Sequence, residues 1–146
     1  MGAFTNHFEN KVLDLLLRGQ AYTPPATLYF SLDTVLGDEA GGGTEVSGGS
    51  YARVAVPASL AAWAGTQGAG TTVASNGTGG TTSNNALITF PAPTANWGQV
   101  VGFRIWDAPS GGNALIYQAL TSPKTINNGD AAPSFNAGSL TIQIDN

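Results

Sequence analysis

The sequence predicts a mainly β fold, namely an antiparallel β-sandwich or jelly-roll-like barrel preceded by one N-terminal amphipathic α-helix. Three observations lead to this class. A helical pattern of apolar residues is confined to the N-terminal stretch, and short alternating segments separated by turn residues follow from residue 28 onward. Glycine accounts for 20 of the 146 residues, and only 10% of the residues are charged. This composition is typical of many short strands joined by tight turns.

The helix is predicted over residues 7–18. Asn6 can cap it, Glu9 follows at capping-box spacing, and Gly19 is the residue type that commonly follows a helix end. Its apolar side chains form a stripe wider than a single face, consisting of Phe8, Val12, Leu13, Leu15, Leu16 and Leu17. This stripe needs cover on more than one side, either from the protein's own sheet or from a neighbouring subunit.

The chain divides into two predicted parts. Residues 1–25 form the helical arm followed by a proline-containing linker, and residues 26–146 form the β-sandwich domain. Strands are predicted over residues 28–32, 51–56, 86–90, 100–106, 114–120, 124–126 and 139–145, with turns at 110–113 and 127–130. Two long connections, 33–50 and 65–85, are predicted as loops, and the second is expected to be mobile in the free protein because it has few apolar groups to bury.

Charge and cysteine content exclude several classes of function. Five Lys and Arg against nine Asp and Glu give a net charge of −4, which disfavours binding to nucleic acid or to an anionic membrane surface. The apolar run from Val12 to Leu17 is too short to span a bilayer. With no cysteine in the chain, thiol catalysis and cysteine-ligated zinc are excluded.

No catalytic or metal site is predicted. His7 is the only histidine, and no nucleophile elbow accompanies it. A glycosidase needs two carboxylates across a cleft, and the scattered acids supply such a pair only by chance. The 33–50 loop contains four acids, Asp33, Asp38, Glu39 and Glu45. They lack the alternate-position spacing of an EF-hand, so a calcium site is disfavoured. No cofactor is expected.

Aromatic and arginine side chains on the strands have two interpretations. The aromatic residues could build a sugar-stacking platform, but core and subunit-interface packing is their more usual role; they are Trp63, Trp97, Trp106, Tyr22, Tyr29, Tyr51 and Tyr117. Arg53 and Arg104 are expected to pair with acids of the same or a neighbouring subunit. The candidates for subunit contact are Phe8, Val12, Leu13, Leu16, Leu17, Tyr51, Arg53, Trp63, Trp97 and Arg104.

Residues 41–53 read GGGTEVSGGSYAR. They resemble the GTEVSGGGYAR signature of small virion proteins of tailed bacteriophages, which are described as tail-fibre-like or structural. The resemblance continues through ITFP at 88–91, WG at 97–98, FRIWD at 103–107, LT at 120–121, Lys124, NGD at 128–130 and the segment 140–145. We refer to residues 41–53 as the signature segment.

The resemblance implies a non-enzymatic virion protein that is made in the host cytoplasm and assembled into the particle. A capsid cement or decoration protein is the favoured hypothesis, because many modest contacts on a lattice add up through avidity. The alternative is a tail-fibre or tail-tip module that contacts host glycans, and a small glycan hydrolase is a third class. The expected partners are the major capsid protein or other virion proteins, and a homo-oligomer is expected.

Overall fold

The computed structural model describes residues 2–144. Over this range the chain forms one helix and short antiparallel strands. The elements are β1 (Gly2–Phe4), α1 (Asn6–Leu17), β2 (Thr27–Val35), β3 (Thr44–Glu45), β4 (Val54–Pro57), β5 (Thr81–Ser83), β6 (Ile88–Thr89), β7 (Gly98–Trp106), β8 (Ala114–Ile126), β9 (Ser134–Phe135) and β10 (Thr141–Gln143).

The main sheet has six strands. Its order is β1-β8-β7-β2-β3, and β4 also pairs with β2. Two small sheets of two strands each, β10-β5 and β6-β9, complete the described pairing. The prediction of a mainly β protein with antiparallel sheets and one short N-terminal helix is therefore confirmed.

The core lies on one face of the central strands β2 and β7. Phe30 of β2 is opposite Ile105 of β7, and Leu32 is opposite Phe103, and all four side chains are buried. Ile88, Phe135 and Ile142 of the small sheets pack into or against the same hydrophobic cluster, as does Leu140, which directly precedes β10. Aromatic rings join these layers, since the Phe103 and Phe135 centroids are 5.7 Å apart in an edge-to-face arrangement.

The opposite face of β2 is also covered. Ser31 and Asp33 alternate with the core residues of β2, yet both are completely buried. In a half-exposed strand this face would be solvated. Here the signature segment and its neighbours lie over it, and this arrangement produces the polar network described below.

The N-terminus differs from the predicted helix start. Thr5, not Asn6, is the N-cap residue: its backbone is extended and its hydroxyl oxygen accepts from the amide of Phe8. The same hydroxyl donates to the carbonyl of Ala114. The shift arises because β1, which was not predicted, pairs with β8 and carries the chain to Thr5 in an extended conformation. The helix then ends at Leu17 instead of residue 18.

Several strand predictions also change. Predicted strands 114–120 and 124–126 form one strand, β8, whose pairing with β7 shifts register between Ala119 and Lys124. Pro123 lies in this shift and has no amide hydrogen to donate to a ladder. The predicted 65–85 loop contains β5 at its end, and the predicted final strand begins at Thr141 instead of 139; its last position, Asp145, lies outside the described residues. Among the residues described, no helix has the length and apolar character needed to cross a membrane.

Candidate functional site

Two arginine side chains lie against the ring of Trp106. The guanidinium carbon of Arg53 is 3.7 Å from the ring centroid and that of Arg104 is 4.6 Å from it. Both distances are within the range of a cation–π interaction. The indole N–H of Trp106 donates to the hydroxyl of Ser31 at 2.9 Å, so the indole is fixed at its polar edge as well as on its ring.

Arg104 joins β7 to β2 and to the start of the signature segment. Its Nε and Nη2 donate to the two carboxylate oxygens of Asp33 at 2.7 and 3.0 Å. Its Nη1 donates to the carbonyls of Gly41 and Gly42. The ion pair is bidentate and buried, with 4% and 0% of the two side chains exposed. Burial raises the pKa of Asp33, and the hydrogen bonds and charge of Arg104 oppose this rise.

Arg53 joins the middle of the signature segment to the β7–β8 turn. Its Nε and Nη2 donate to the carboxylate of Glu45, the shortest distance being 2.7 Å. Its Nη1 donates to the carbonyls of Ala108 and Gly111, each at 2.9 Å. One side chain therefore fixes a carboxylate and two turn carbonyls at once.

Tyr51 completes this network. Its hydroxyl donates to Glu45 Oε1 at 3.0 Å and accepts from the amide of Leu32 at 2.9 Å. Burial, more than any other cause, raises the pKa of Tyr51, and the nearby Glu45 charge adds to the rise. The phenol is therefore neutral at any ordinary pH and serves as a fixed donor and acceptor.

At one position of the signature segment, residue 43, steric contact explains why the residue is glycine. Gly43 has φ of +107°, and a Cβ added there would lie 2.8 Å from the Cα of Gly37. The backbone at this position is both left-handed and too close to its neighbour for any side chain.

We call Asp33, Glu45, Tyr51, Arg53, Arg104 and Trp106 together the arginine clamp.

The arginine clamp holds the loops in place and offers no free reactive group. Both guanidinium groups and both carboxylates are paired within the chain. Within residues 2–144, no cluster of three or more His, Asp or Glu side chains could hold a metal ion. Of the four acids considered for calcium, Asp33 and Glu45 belong to the clamp, and Asp38 accepts from the amide of Gly42.

Among the described residues, four of the ten exposed large apolar side chains lie on α1. The helix has no fully buried side chain, and Leu13, Leu16 and Leu17 are 52%, 72% and 78% exposed. These three residues have i, i+3, i+4 spacing and so share one face of the helix. We call them the leucine ridge.

An apolar groove of about 590 Å³ runs beside the N-terminal half of α1. Its walls come from β1, α1, the main sheet, the 58–65 segment and the C-terminal strand. The large lining side chains are Phe4, Phe8, Leu28, Leu60, Trp63, Ile105, Ile116, Ile142 and Ile144, and the remaining lining residues are small and uncharged. Leu60 and Ile144 on its rim are 56% and 66% exposed. We call this feature the apolar groove.

The structure separates the predicted contact candidates into three groups. Tyr51, Arg53 and Arg104 belong to the arginine clamp. Trp97 is buried, and Trp63 is half-buried and stacks on Phe30. The helix candidates lie at or beside the exposed surface: Phe8 and Val12 are half-buried, and Leu13, Leu16 and Leu17 form the ridge. The groove was not predicted, because its walls come from segments that are far apart in the sequence.

Two of the three tryptophans are buried. Trp97 and Trp106 are 5% and 9% exposed, and Trp63 donates its indole N–H to the carbonyl of Pro57. Trp97 and Trp106 are at positions that fit the core-packing interpretation, whereas half-buried Trp63 also lines the apolar groove.

Residues 3–143 match the model of a family described as podophage GP4 fiber I protein gp80. The match covers the arm, the signature segment and all of the sheets. No curated protein matches the sequence.

Proposed function

Because the chain belongs to the podophage GP4 fiber I protein gp80 family, and so to the structural proteins of tailed-phage virions, we propose that it is a non-enzymatic fibre subunit. The single observation that carries this proposal is the family match over residues 3–143. The family description names a fiber protein, and this favours the fibre hypothesis over the capsid cement hypothesis.

The geometry supports a role in assembly. The charged groups of the signature segment are paired inside the chain, so this segment serves the fold itself. The leucine ridge and the apolar groove, in contrast, leave large apolar side chains in contact with solvent. Large apolar side chains grouped on an exposed surface are a common feature of interaction sites in soluble proteins. We therefore assign the contacts with other virion proteins to the helix and the groove.

A capsid cement protein is the second candidate. The observation that favours it is the projecting helix, which leaves four leucines about half or more exposed on a weakly charged domain. Such an arm suits repeated docking onto a lattice. We also propose that the main sheet and the two small sheets form the two layers of a sandwich, because side chains from all three sheets pack into one hydrophobic cluster.

Copy number distinguishes the two candidates. A fibre component is present at a small multiple of the tail's low-order symmetry, whereas a cement protein follows the much larger number of lattice positions. Quantitative mass spectrometry of purified particles, with the major capsid protein as the internal standard, measures this ratio. A ratio near that of the tail proteins supports the fibre. A ratio comparable to that of the major capsid protein supports the cement protein and overturns the fibre proposal.

A further inference from the structure

We propose that the cavity between the signature segment and the β7–β8 turn binds a neutral saccharide. The inference deepens the proposed function and rests on it, because it takes the protein to be a fibre subunit that meets surfaces outside the particle. It adds the chemical class of the partner and the residues that contact it.

The cavity is open and has a volume of about 500 Å³, which lies in the ~300–1,000 Å³ range of small-molecule sites. One wall comes from residues 45–48 and 51–53, and the other comes from residues 109–111. Ser47 and Ser110 are exposed on opposite walls, whereas Glu45 and Arg53 are half-buried. We call this cavity the polar pocket, because hydroxyl groups and an ion pair line it.

Several hydrogen-bonding groups of the polar pocket are available to a ligand. Within residues 2–144, the hydroxyl groups of Ser47 and Ser110 take part in no hydrogen bond, although the neighbouring residues do. Arg53 Nη1 donates to two turn carbonyls, and Nη2 makes one hydrogen bond, to Glu45. Because each of these nitrogens carries two hydrogens, Nη2 keeps one donor. The Glu45 carboxylate is 24% exposed, so it can accept further hydrogen bonds.

The charges of the polar pocket disfavour an ionised ligand. Arg53 neutralises the Glu45 carboxylate at 2.7 Å, so little charge is left to attract a cation. An anion would meet that same carboxylate, which is more exposed than the guanidinium, at 24% against 7%. The net charge of −4 on the chain adds to this repulsion.

The hydrogen-bonding groups disfavour an apolar ligand. Such a ligand would remove water from the ion pair and the hydroxyl groups without replacing their hydrogen bonds. The matching ligand is neutral and carries closely spaced hydroxyl groups, because a hydroxyl group both donates and accepts. A saccharide has this chemistry.

Both walls of the polar pocket are fixed before a ligand arrives. The two carbonyls that accept from Arg53 tie the β7–β8 turn to the signature segment. Asp107 accepts from the amide and the side chain of Asn113 across the base of that turn. On the other wall, the amide of Tyr51 donates to the carbonyl of Gly48 at 3.0 Å. A preformed site of this kind loses little binding free energy to the ordering of loops.

A single polar pocket binds its ligand weakly. Among its described lining residues only Tyr51 is aromatic, and the Tyr51 ring packs edge-on against Trp97 and stacks on Phe90. It therefore provides no stacking surface for a sugar ring. With so few contacts the pocket selects the chemical class and not one particular sugar, and its affinity lies in the millimolar range. Several copies that engage one polymer together increase the overall affinity.

Nuclear magnetic resonance of the full-length protein tests this assignment. Amide nitrogen–proton correlation spectra are recorded while lactose, maltose or cellobiose is added to millimolar concentration, with glucuronic acid and glucosamine as charged counterparts. The pocket variant is the double substitution Ser47→Ala and Ser110→Ala, which removes both hydroxyl groups and leaves the arginine clamp intact. The matched control is Ser122→Ala, an exposed serine of β8 that does not line the polar pocket.

We expect each neutral disaccharide to cause saturable shifts of the amides of Ser47, Gly48 and Ser110. The pocket variant should bind about tenfold more weakly, because each lost hydrogen bond lowers the affinity severalfold, and Ser122→Ala should bind like the wild type. The unchanged remainder of each spectrum checks that the variants are folded.

Three results would overturn the proposal: no saturable shift with any of the three neutral disaccharides, tighter binding of either charged sugar, or an equal loss of affinity in Ser122→Ala. The copy-number measurement is independent of these spectra. A fibre-like copy number without saccharide binding therefore refutes the polar pocket as a binding site and leaves the proposed function standing.

Discussion

The buried ion pair between Arg104 and Asp33 gives the sharpest test of the arginine clamp. Replacing Arg104 with methionine keeps most of the side-chain volume but removes the cation. The carboxylate of Asp33 then loses both of its guanidinium hydrogen bonds, and the carbonyls of Gly41 and Gly42 lose their donor. The exposed pair of Arg18 and Asp14, at 2.9 Å, provides a control within the same chain.

The expected cost follows from burial. Removing one partner of a buried ion pair costs about 3–5 kcal/mol, because the remaining charge stays out of water without compensation. This cost is a large part of the total stability of such a domain, which is only about 5–15 kcal/mol. It corresponds to a decrease of roughly 10–15 °C in the melting temperature of Arg104→Met. Arg18→Met should cost at most about 0.5 kcal/mol, since the Arg18 side chain is 73% exposed.

Urea denaturation followed by tryptophan fluorescence measures both variants. The pH dependence adds a second check. With Arg104 gone, burial raises the pKa of Asp33 further above its unfolded value, so the folded variant binds a proton more readily than the unfolded chain. The difference in the free energy of unfolding between the wild type and Arg104→Met, called the stability gap below, should therefore be largest near pH 7–8. It should become smaller as the pH falls toward 4–5. A gap under ~1 kcal/mol at pH 7, or one equal to that of Arg18→Met, would show that the clamp does not stabilise the fold.

Four further predictions concern other parts of the chain. Leu16→Asp should reduce incorporation into particles at least tenfold, because ~1.5–3 kcal/mol of apolar burial is lost and a charge is buried. The control variant Leu87→Asp should incorporate normally. Equal incorporation of the two variants would refute the helix contact. Tyr51→Phe should cost about 1–3 kcal/mol at pH 8; since the pKa of Tyr51 is raised in the folded state, this cost should shrink above pH ~10, where the unfolded tyrosine ionises. Amide exchange should be fast over residues 65–80 and slow over Thr81–Ser83, and uniform protection would contradict this. The purified protein should release no reducing ends from host polysaccharide or peptidoglycan, and release abolished by one carboxylate substitution would refute the non-enzymatic proposal.

The predictable part of the fold is the part with strong local patterns. The helix was predicted to within one residue at each end, and the strands around Phe30 and Phe103 follow from their alternation of apolar and polar residues. The antiparallel pairing of β7 with β8 follows from the turn predicted at 110–113, whereas β2 and β7 pair across a long connection. The register does not follow, because the opposition of Phe30 and Ile105 depends on contacts that are far apart in the sequence.

Two of the strands that were not predicted, β5 and β1, share a physical cause. Thr81–Ser83 has no apolar residue, so no alternation marks it as a strand. It is fixed by pairing with Thr141–Gln143 and by a hydrogen bond from the Thr82 hydroxyl to the carbonyl of Ala64. Likewise, Gly2–Phe4 is a strand because it pairs with β8. The three residues themselves have no pattern that predicts this pairing.

The arginines were expected to pair with acids, but the sequence left the partners open. The pairing of Arg104 with Asp33 spans the fold, and that of Arg53 with Glu45 lies inside the signature segment. A local signal existed for the second pair, because Glu45, Tyr51 and Arg53 lie close together in the sequence. No local sequence signal indicates that Trp106 lies between the two arginines, because its contact with Arg53 depends on the pairing of β2 with β7.

The arginine clamp also limits how this protein can bind its neighbours. Of its five Lys and Arg residues, Arg18, Arg53 and Arg104 each have an acidic partner in the same chain, and the two within the clamp are committed to the fold. Few cations remain to form ion pairs across an interface. Contacts of the proposed fibre with its neighbours would then depend mainly on uncharged surface, and the leucine ridge and the apolar groove provide apolar surface of this kind. Because apolar contacts are not screened by salt and strengthen in kosmotropic salts, an assembly made this way should persist at salt concentrations that dissociate charge-based interfaces.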